Sequence, residues 1–262
     1  MIGRIKEIFR WRQLLFSLTS KELKSKYRQA SGGFGWMLVM PLVQTVIFSF
    51  IFRYIFKVKI GHYTLFLLSG LFSWAFFRSS LDGAANSILG NASLIKKTYF
   101  PREILPISSV MANLVSFFFA LVVLLAFSLL SGVSWSRGLV WLPWVIFIQV
   151  VLTLGIALFL AGMNTVYREV QFIMDILLLV WFYATPIVYS LEMVKNTLPK
   201  SMFFFYQLNP MAGIIRSYQN IFFLGLAPEG VMLFGSSLAA GTLFALGFLN
   251  FRRYEKVFED MV

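Results

Sequence analysis

The sequence predicts an all-α integral membrane protein with six transmembrane helices, an N-terminal amphipathic interface helix and re-entrant helices before the last span. Three observations carry that prediction. Of the 262 residues, 59% are AVILMFWYC and 13% are charged, about half the roughly 25% usual for soluble domains. So few charges cannot cover a soluble surface of this size. The charges are also segregated. Uncharged runs cover 29–52, 60–77, 104–136, 138–167 and 230–251, and a shorter run at 176–191 reaches back to about 170 once Asp175 is tolerated inside the membrane. About 20 apolar residues cross a hydrocarbon core as a helix. Finally, residues 191–230 are too apolar for a free loop (Phe203, Phe204, Phe205, Ile214, Ile215, Phe222 and Phe223), yet their two apolar stretches are each too short to span. Re-entrant or interfacial half-helices solve that problem, because non-helical backbone at membrane depth needs protein or water around it.

The spans are placed at about 34–53, 62–80, 107–130, 140–163, 170–190 and 231–250. An even number puts both termini on one side. With that side as the cytoplasm, inside segments carry 16 Lys/Arg and outside segments seven, as the positive-inside tendency requires. The cluster Arg53, Lys57 and Lys59 dissents. Residues 1–262 read as one transmembrane domain: a cytoplasmic interface segment (1–33), the six spans (34–250) and a cytoplasmic tail (251–262). The N-terminal segment has no continuous apolar stretch of the signal-peptide kind. In 2–19, Ile2, Ile5, Ile8, Phe9, Leu15 and Phe16 recur near helical spacing among Arg4, Lys6, Arg10 and Arg12, which fits a helix lying on an anionic membrane surface or a plain topology anchor. The loop 81–106 is polar, with Pro101 and Pro106 bracketing a short turn or helix that stops at each proline. The net charge of +12 lies beside membrane segments and reads as topology, not as a nucleic-acid footprint.

Catalytic equipment is missing. There is no Gly-Lys pair, hence no phosphate-binding loop of the Walker type. There is no cysteine and a single histidine, His62, so thiolate and histidine metal sites and His-based triads are absent; no metal ligands are assigned. Ionisable residues inside spans are functional candidates, and here they are few: Arg78 and Asp82, an i, i+4 pair at an inner edge, and Asp175 one turn past Gln171. They form no relay through the bilayer, so ion-coupled transport is disfavoured, and any energy for transport comes from elsewhere. Aromatic residues in the first and fifth spans, Phe48, Phe52, Tyr54, Trp181, Tyr183 and Tyr189, can pack against lipid and helices or line a path for sugar faces. In the last span Gly235, Ser236, Ser237, Ala239, Ala240 and Gly241 form a small-residue face that permits close helix approach.

Several segments together resemble the permease subunits of ABC transporters that export lipid-linked polysaccharides (O-antigen, wall teichoic acid and capsule). They are TSKELKSKYRQASGGFGW at 19–36, NASLIKKTYFPREILP at 91–106, NTVYREV at 164–170, TPIVY at 185–189 and NPMAGIIR at 209–216. Gly32-Gly33 stands where the family usually has Leu-Gly, and Arg168-Glu169 where it often has Arg-Asp. The resemblance implies a channel-forming subunit of an ATP-driven exporter of undecaprenyl-diphosphate-linked polysaccharide of the O-antigen type in the bacterial inner membrane. It implies a homodimer surrounded by membrane lipids, with two ATP-binding cassette subunits that carry the ATP and Mg; this chain would be no enzyme and hold no cofactor. Leu94, Ile95, Lys96, Lys97, Phe100, Pro101 and Arg102 would couple to the ATPase. Lys24, Lys26 and Arg28 would attract the lipid diphosphate, or simply anchor topology. A wall teichoic acid or capsule exporter is the alternative within the family, and a membrane-embedded glycan transferase the alternative outside it.

Overall fold

In the computed structural model, the described residues are 7–27, 36–51, 62–133, 138–167, 169–197, 199, 203, 206–255 and 258. Among them the chain is all-helical, without a strand. The helices are α1 (Arg12–Tyr27), α2 (Trp36–Phe50), α3 (Tyr63–Asn86), α4 (Ala92–Lys97), α5 (Ile104–Leu130), α6 (Leu142–Val166), α7 (Val170–Tyr183), α8 (Leu191–Thr197), α9 (Pro210–Gln219) and α10 (Gly230–Glu255). Among the described residues, four stretches are long and apolar enough to cross a membrane: 63–86, 104–130, 139–166 and 230–255. They correspond to the second, third, fourth and sixth expected spans. The first and fifth expected spans coincide with the shorter helices α2 and α7.

Boundaries move for identifiable reasons. The second span runs on to Asn86 instead of stopping near 80, because Arg78 and Asp82 sit one turn apart on a single exposed face. The third begins at Ile104, before Pro106, which the sequence reading treated as a stop. Pro106 is the third residue of α5, where the backbone N–H has no helical partner to lose. The fifth helix ends at Tyr183 instead of 190. Pro186 lacks an N–H and disfavours helical backbone at Thr185, and the Thr185 hydroxyl closes the last turn on the Trp181 carbonyl at 2.7 Å.

Helix α3 forms the middle of the bundle and packs against α2, α5, α6, α7 and α9. Its buried residues run almost unbroken from Tyr63 to Phe77. Polar side chains inside this core are paired. Gln149 of α6 donates to the Ser73 carbonyl and hydroxyl, both at 2.9 Å, and accepts from the Tyr218 hydroxyl of α9 at 2.7 Å. One amide therefore joins three helices where water is scarce.

The most extensive pairing is α6 with α10. A Cβ on Gly247 would overlap the Gly155 carbonyl oxygen, and one on Gly155 would stand 2.6 Å from the Phe244 backbone. Within the small-residue face expected in the last span, Ser236 and Ala240 are buried, whereas Gly235 and Gly241 face open space. The close crossing lies further along the helix, at Gly247.

A second cluster gathers one end of the molecule. Leu18 of α1, Ile88, Ile95, Phe100, Ile104, Leu105, Phe251 and Phe258 pack together, flanked by Ile8, Trp11, Leu14 and Leu15. The amphipathic segment is thus helical from residue 7, with a turn at Trp11, and continues to Tyr27 instead of stopping near 19. Its Ile8–Leu18 face is turned onto the protein, while Phe9 and Phe16 stay exposed. Residues 1–6 lie outside the described set.

Gly247→Val should lower the thermal midpoint of the purified protein, because overpacking costs about 1–3 kcal/mol. Gly241→Ala, in open space, should leave it unchanged. Equal midpoints for the two variants would refute the crossing.

Candidate functional site

The site is built from the one face of α3 that its neighbours leave uncovered. Arg78, Ser79 and Asn86 are exposed and Asp82 is half-buried. At i, i+1, i+4 and i+8 they form a single polar stripe. Beside it lies a recess of about 520 Å³ lined by residues that include Glu22 and Lys26 of α1, Ser79, Asp82 and Asn86 of α3, and Asn91. Helix α7 closes the other flank: Arg78 Nη2 lies 3.7 Å from Asp175 Oδ1, and Asn86 Nδ2 donates to Gln171 Oε1 at 3.1 Å. Arg78 Nε also reaches Asp82 Oδ2 at 3.9 Å.

Of the expected diphosphate residues, Lys24 is exposed, and Arg28 falls outside the described residues. Lys26 is exposed along its stem, but its ammonium turns inward and donates to Asn113 Oδ1 at 2.8 Å. Partial loss of water holds the Lys26 pKa below its ordinary value, against the opposing pull of Glu22 and Asp82. Burial likewise raises the Glu22 carboxyl, although Lys26 counteracts it. Lys21 donates to Asn91 Oδ1 at 3.2 Å. These contacts fasten α1 to the bundle beside the recess.

The expected coupling residues divide into two groups. Ile95, Phe100 and Pro101 are buried and Leu94 is half-buried, whereas Lys96 and Lys97 are exposed. Arg102 Nη1 donates to the Glu255 carbonyl at 2.7 Å, tying the loop to the end of α10. The buried group holds the loop from beneath and the exposed group faces outward. Tyr99, 76% exposed, belongs with the outward group and was not singled out in the sequence. Its alternation with the buried Phe100 in the extended stretch after α4 was the available signal.

The aromatic candidates also separate. Phe48 packs against the core, and Phe52 and Tyr54 lie outside the described residues. Tyr183 is exposed. Trp181 packs edge-on against Trp74 and Phe77, and its indole N–H donates to Asn209 Oδ1 at 2.8 Å. The Tyr189 hydroxyl donates to the Tyr183 carbonyl at 2.6 Å and lies 3.3 Å from the Tyr206 hydroxyl.

Asn209 joins the TPIVY and NPMAG segments. It caps α9 by accepting from the Met211 N–H at 3.0 Å, and it donates to the Ala184 carbonyl at 3.1 Å and to Thr185 Oγ1 at 3.0 Å. One helix further, the largely buried Arg216 pairs with Glu192 of α8 and with Glu229 just before α10, the latter at 3.0 Å. Burial opposes ionisation of Glu192, but backbone hydrogen bonding and Arg216 prevail and lower its pKa.

The model of the ABC-2 type transporter family matches residues 13–223. An O-antigen export system permease protein, RfbA, of Myxococcus xanthus is 33% identical over 229 residues, 87% of each chain. A Klebsiella pneumoniae protein of the same name is 34% identical over 214 residues, 81% of each chain. The polysialic acid transport protein KpsM of Escherichia coli is 24% identical over 256 residues, 94% of each chain.

Asn209→Ala removes a helix cap worth about 0.5–2 kcal/mol together with the ties to Trp181 and Thr185, so a lower thermal midpoint is expected; an unchanged midpoint would argue against the junction. Glu192, depressed in the folded state, adds stability that is complete above its ordinary pKa of 4.5 and is lost as pH falls through the lower folded value. Thermal midpoints measured from pH 7 to pH 3 should fall less steeply in Glu192→Gln than in the parent. Superimposable acid limbs would contradict this.

Proposed function

Because the chain belongs to the ABC-2 type transporter family, we propose that it is the channel-forming permease of an ATP-driven exporter that moves undecaprenyl-diphosphate-linked polysaccharide of the O-antigen type across the cytoplasmic membrane. The supporting observation is the identity of 33–34% over at least four-fifths of the chain with proteins named as O-antigen export permeases. A capsule-type cargo is the second reading, favoured by the weaker likeness along 94% of the chain to a polysialic acid transport protein.

On this reading two copies of the chain enclose the path, and two ATP-binding cassette subunits hydrolyse ATP below it. The sequence, lacking a Gly-Lys pair, leaves that chemistry to a partner. Helices α2 and α7 are the first and fifth of six spans, and α8 and α9 are the re-entrant pair before the last. Both termini face the cytoplasm, which fits the Lys/Arg asymmetry and the shared cluster of Leu18, Phe100 and Phe258. Lys96, Lys97 and Tyr99 touch the ATPase, while Ile95 and Phe100 pass the displacement into α1 and α10. Tyr183 offers an aromatic surface to the glycan, and Lys24 draws its diphosphate toward the membrane.

Co-expression with the ATPase subunit, purified through a tag on this chain, should yield a complex with two copies of each. Lys97→Glu combined with Tyr99→Ala should reduce export of the glycan at least tenfold, with unchanged membrane insertion and thermal midpoint. Normal export in that variant would refute the coupling assignment, and a chain that purifies without an ATPase would refute the exporter.

A further inference from the structure

Helix α7 is held to the bundle in an unusual way. Of its side chains only Met174 and Leu178 are buried, while Phe172, Ile173, Ile176, Leu177, Leu179 and Val180 are exposed. Its outer end is pinned by the Trp181–Asn209 hydrogen bond. Its inner half meets α3 through two polar contacts, Arg78–Asp175 and Asn86–Gln171. An arginine within a span is costly unless it is paired or watered. Arg78 is paired only loosely, at 3.7 and 3.9 Å, with its side chain 47% exposed. Its guanidinium has five N–H donors, and these two contacts leave room for a better acceptor.

We propose that Arg78 is an anion-exchange latch: it holds α7 closed through Asp175 until a diphosphate in the recess between α1 and α3, at whose edge Arg78 stands, takes the guanidinium and frees the inner end of α7. This rests on the exporter reading and assigns to it the residue that senses the substrate head. Guanidinium binds phosphate groups in bidentate, charge-assisted fashion, whereas a half-exposed carboxylate pair contributes little, so the exchange runs toward the diphosphate. The recess, at about 520 Å³, falls within the ~300–1,000 Å³ of small-ligand sites. Lys26 supplies a positive charge on its wall, and Arg78 reaches the lining Asp82 at 3.9 Å. Glu22 and Asp82 keep the empty recess near neutrality, so a small free anion gains little there, and they offer acceptors to the hydroxyls of the sugar that follows the diphosphate. With the outer end fixed at Trp181, release at Asp175 and Gln171 lets α7 swing about its Ala184–Pro186 end.

The test uses the complete transporter in lipid nanodiscs, with three probes: undecaprenyl diphosphate bearing one N-acetylglucosamine, phosphatidylglycerol and inorganic pyrophosphate. The lipid diphosphate should stimulate ATP hydrolysis while the other two do not. Arg78→Gln should raise its half-maximal concentration about tenfold, the loss of one charge-assisted contact. Asp175→Asn should lower that concentration about threefold and raise the lipid-free rate, because the competing carboxylate is gone. A purely structural ion pair would shift both variants the same way, and that result would overturn the latch. The chain has no cysteine, so Asn86→Cys with Gln171→Cys can be bridged by a short bifunctional thiosulfonate. The bridge should abolish lipid stimulation and reduction should restore it; full stimulation while bridged would overturn the proposal. Equal stimulation by phosphatidylglycerol or pyrophosphate would overturn the assignment of the anion. A parent complex that hydrolyses ATP but ignores all three probes refutes the latch alone; a chain that binds no ATPase refutes the exporter reading beneath it.

Discussion

The arrangement depends on the burial of α3. From Tyr63 to Phe77 this helix touches protein almost everywhere, so its path and rotation are set jointly by α2, α5, α6, α7 and α9. A helix fixed from so many sides cannot rotate to hide what its last turns carry. Arg78, Ser79, Asp82 and Asn86 are therefore presented in one direction, toward α1 and α7. Side chains that would cost free energy in hydrocarbon find a recess instead, and at the Gln149 junction Ser73 and Tyr218 satisfy a buried amide.

The two ends of the bundle are held by different forces. At one end, Asn209 makes four hydrogen bonds and Arg216 two ion pairs, with α9 almost wholly buried against α3 and α10. Such contacts are local and directional. At the opposite end, α1, the loop around Phe100 and the end of α10 share one apolar cluster. Phe100 and Leu18 meet in that cluster, and the same α1 carries Glu22 and Lys26 of the recess wall.

Much of this was legible in the sequence. Length and hydropathy identify α5, α6 and α10 to within a few residues, since each is an uncharged run of spanning length. The method fails where a polar residue lies inside a helix or an apolar one outside it. Arg78 and Asp82 cut the second span short on paper, yet in three dimensions they share a face and the helix continues beneath them. Pro186 ends α7 within a run that remains apolar to Tyr189, and Pro106 begins α5 where a stop was expected, because the effect of a proline depends on its distance from a helix start. The candidate site was read as Lys24, Lys26 and Arg28 because a basic motif is visible in one dimension. The pairing of Arg78 with Asp175, 97 positions away, depends on how α7 crosses α3, and only the Arg78–Asp82 half of it follows from spacing.

The polar attachment of the first turns of α7 suits the release proposed for it. Between membrane helices the hydrophobic term is small, because lipid tails are as apolar as the partner helix, so attachment rests on close packing and polar contacts. Met174 and Leu178, the ring contacts of Trp181 and the Trp181–Asn209 hydrogen bond hold its far end, whereas its first turns are held by the Asn86–Gln171 hydrogen bond, worth about 0.5–1.5 kcal/mol, and an exposed ion pair worth about 0–1 kcal/mol. Equilibria balanced within a few kcal/mol leave the minor state populated at roughly 0.1–10%, a range that a ligand with differential affinity can invert. A desolvated, tightly bonded Arg78–Asp175 pair would cost about 3–5 kcal/mol to break and would place release beyond the reach of one head group. The long, half-watered contacts at 3.7 and 3.9 Å are what a latch opened by its own cargo requires.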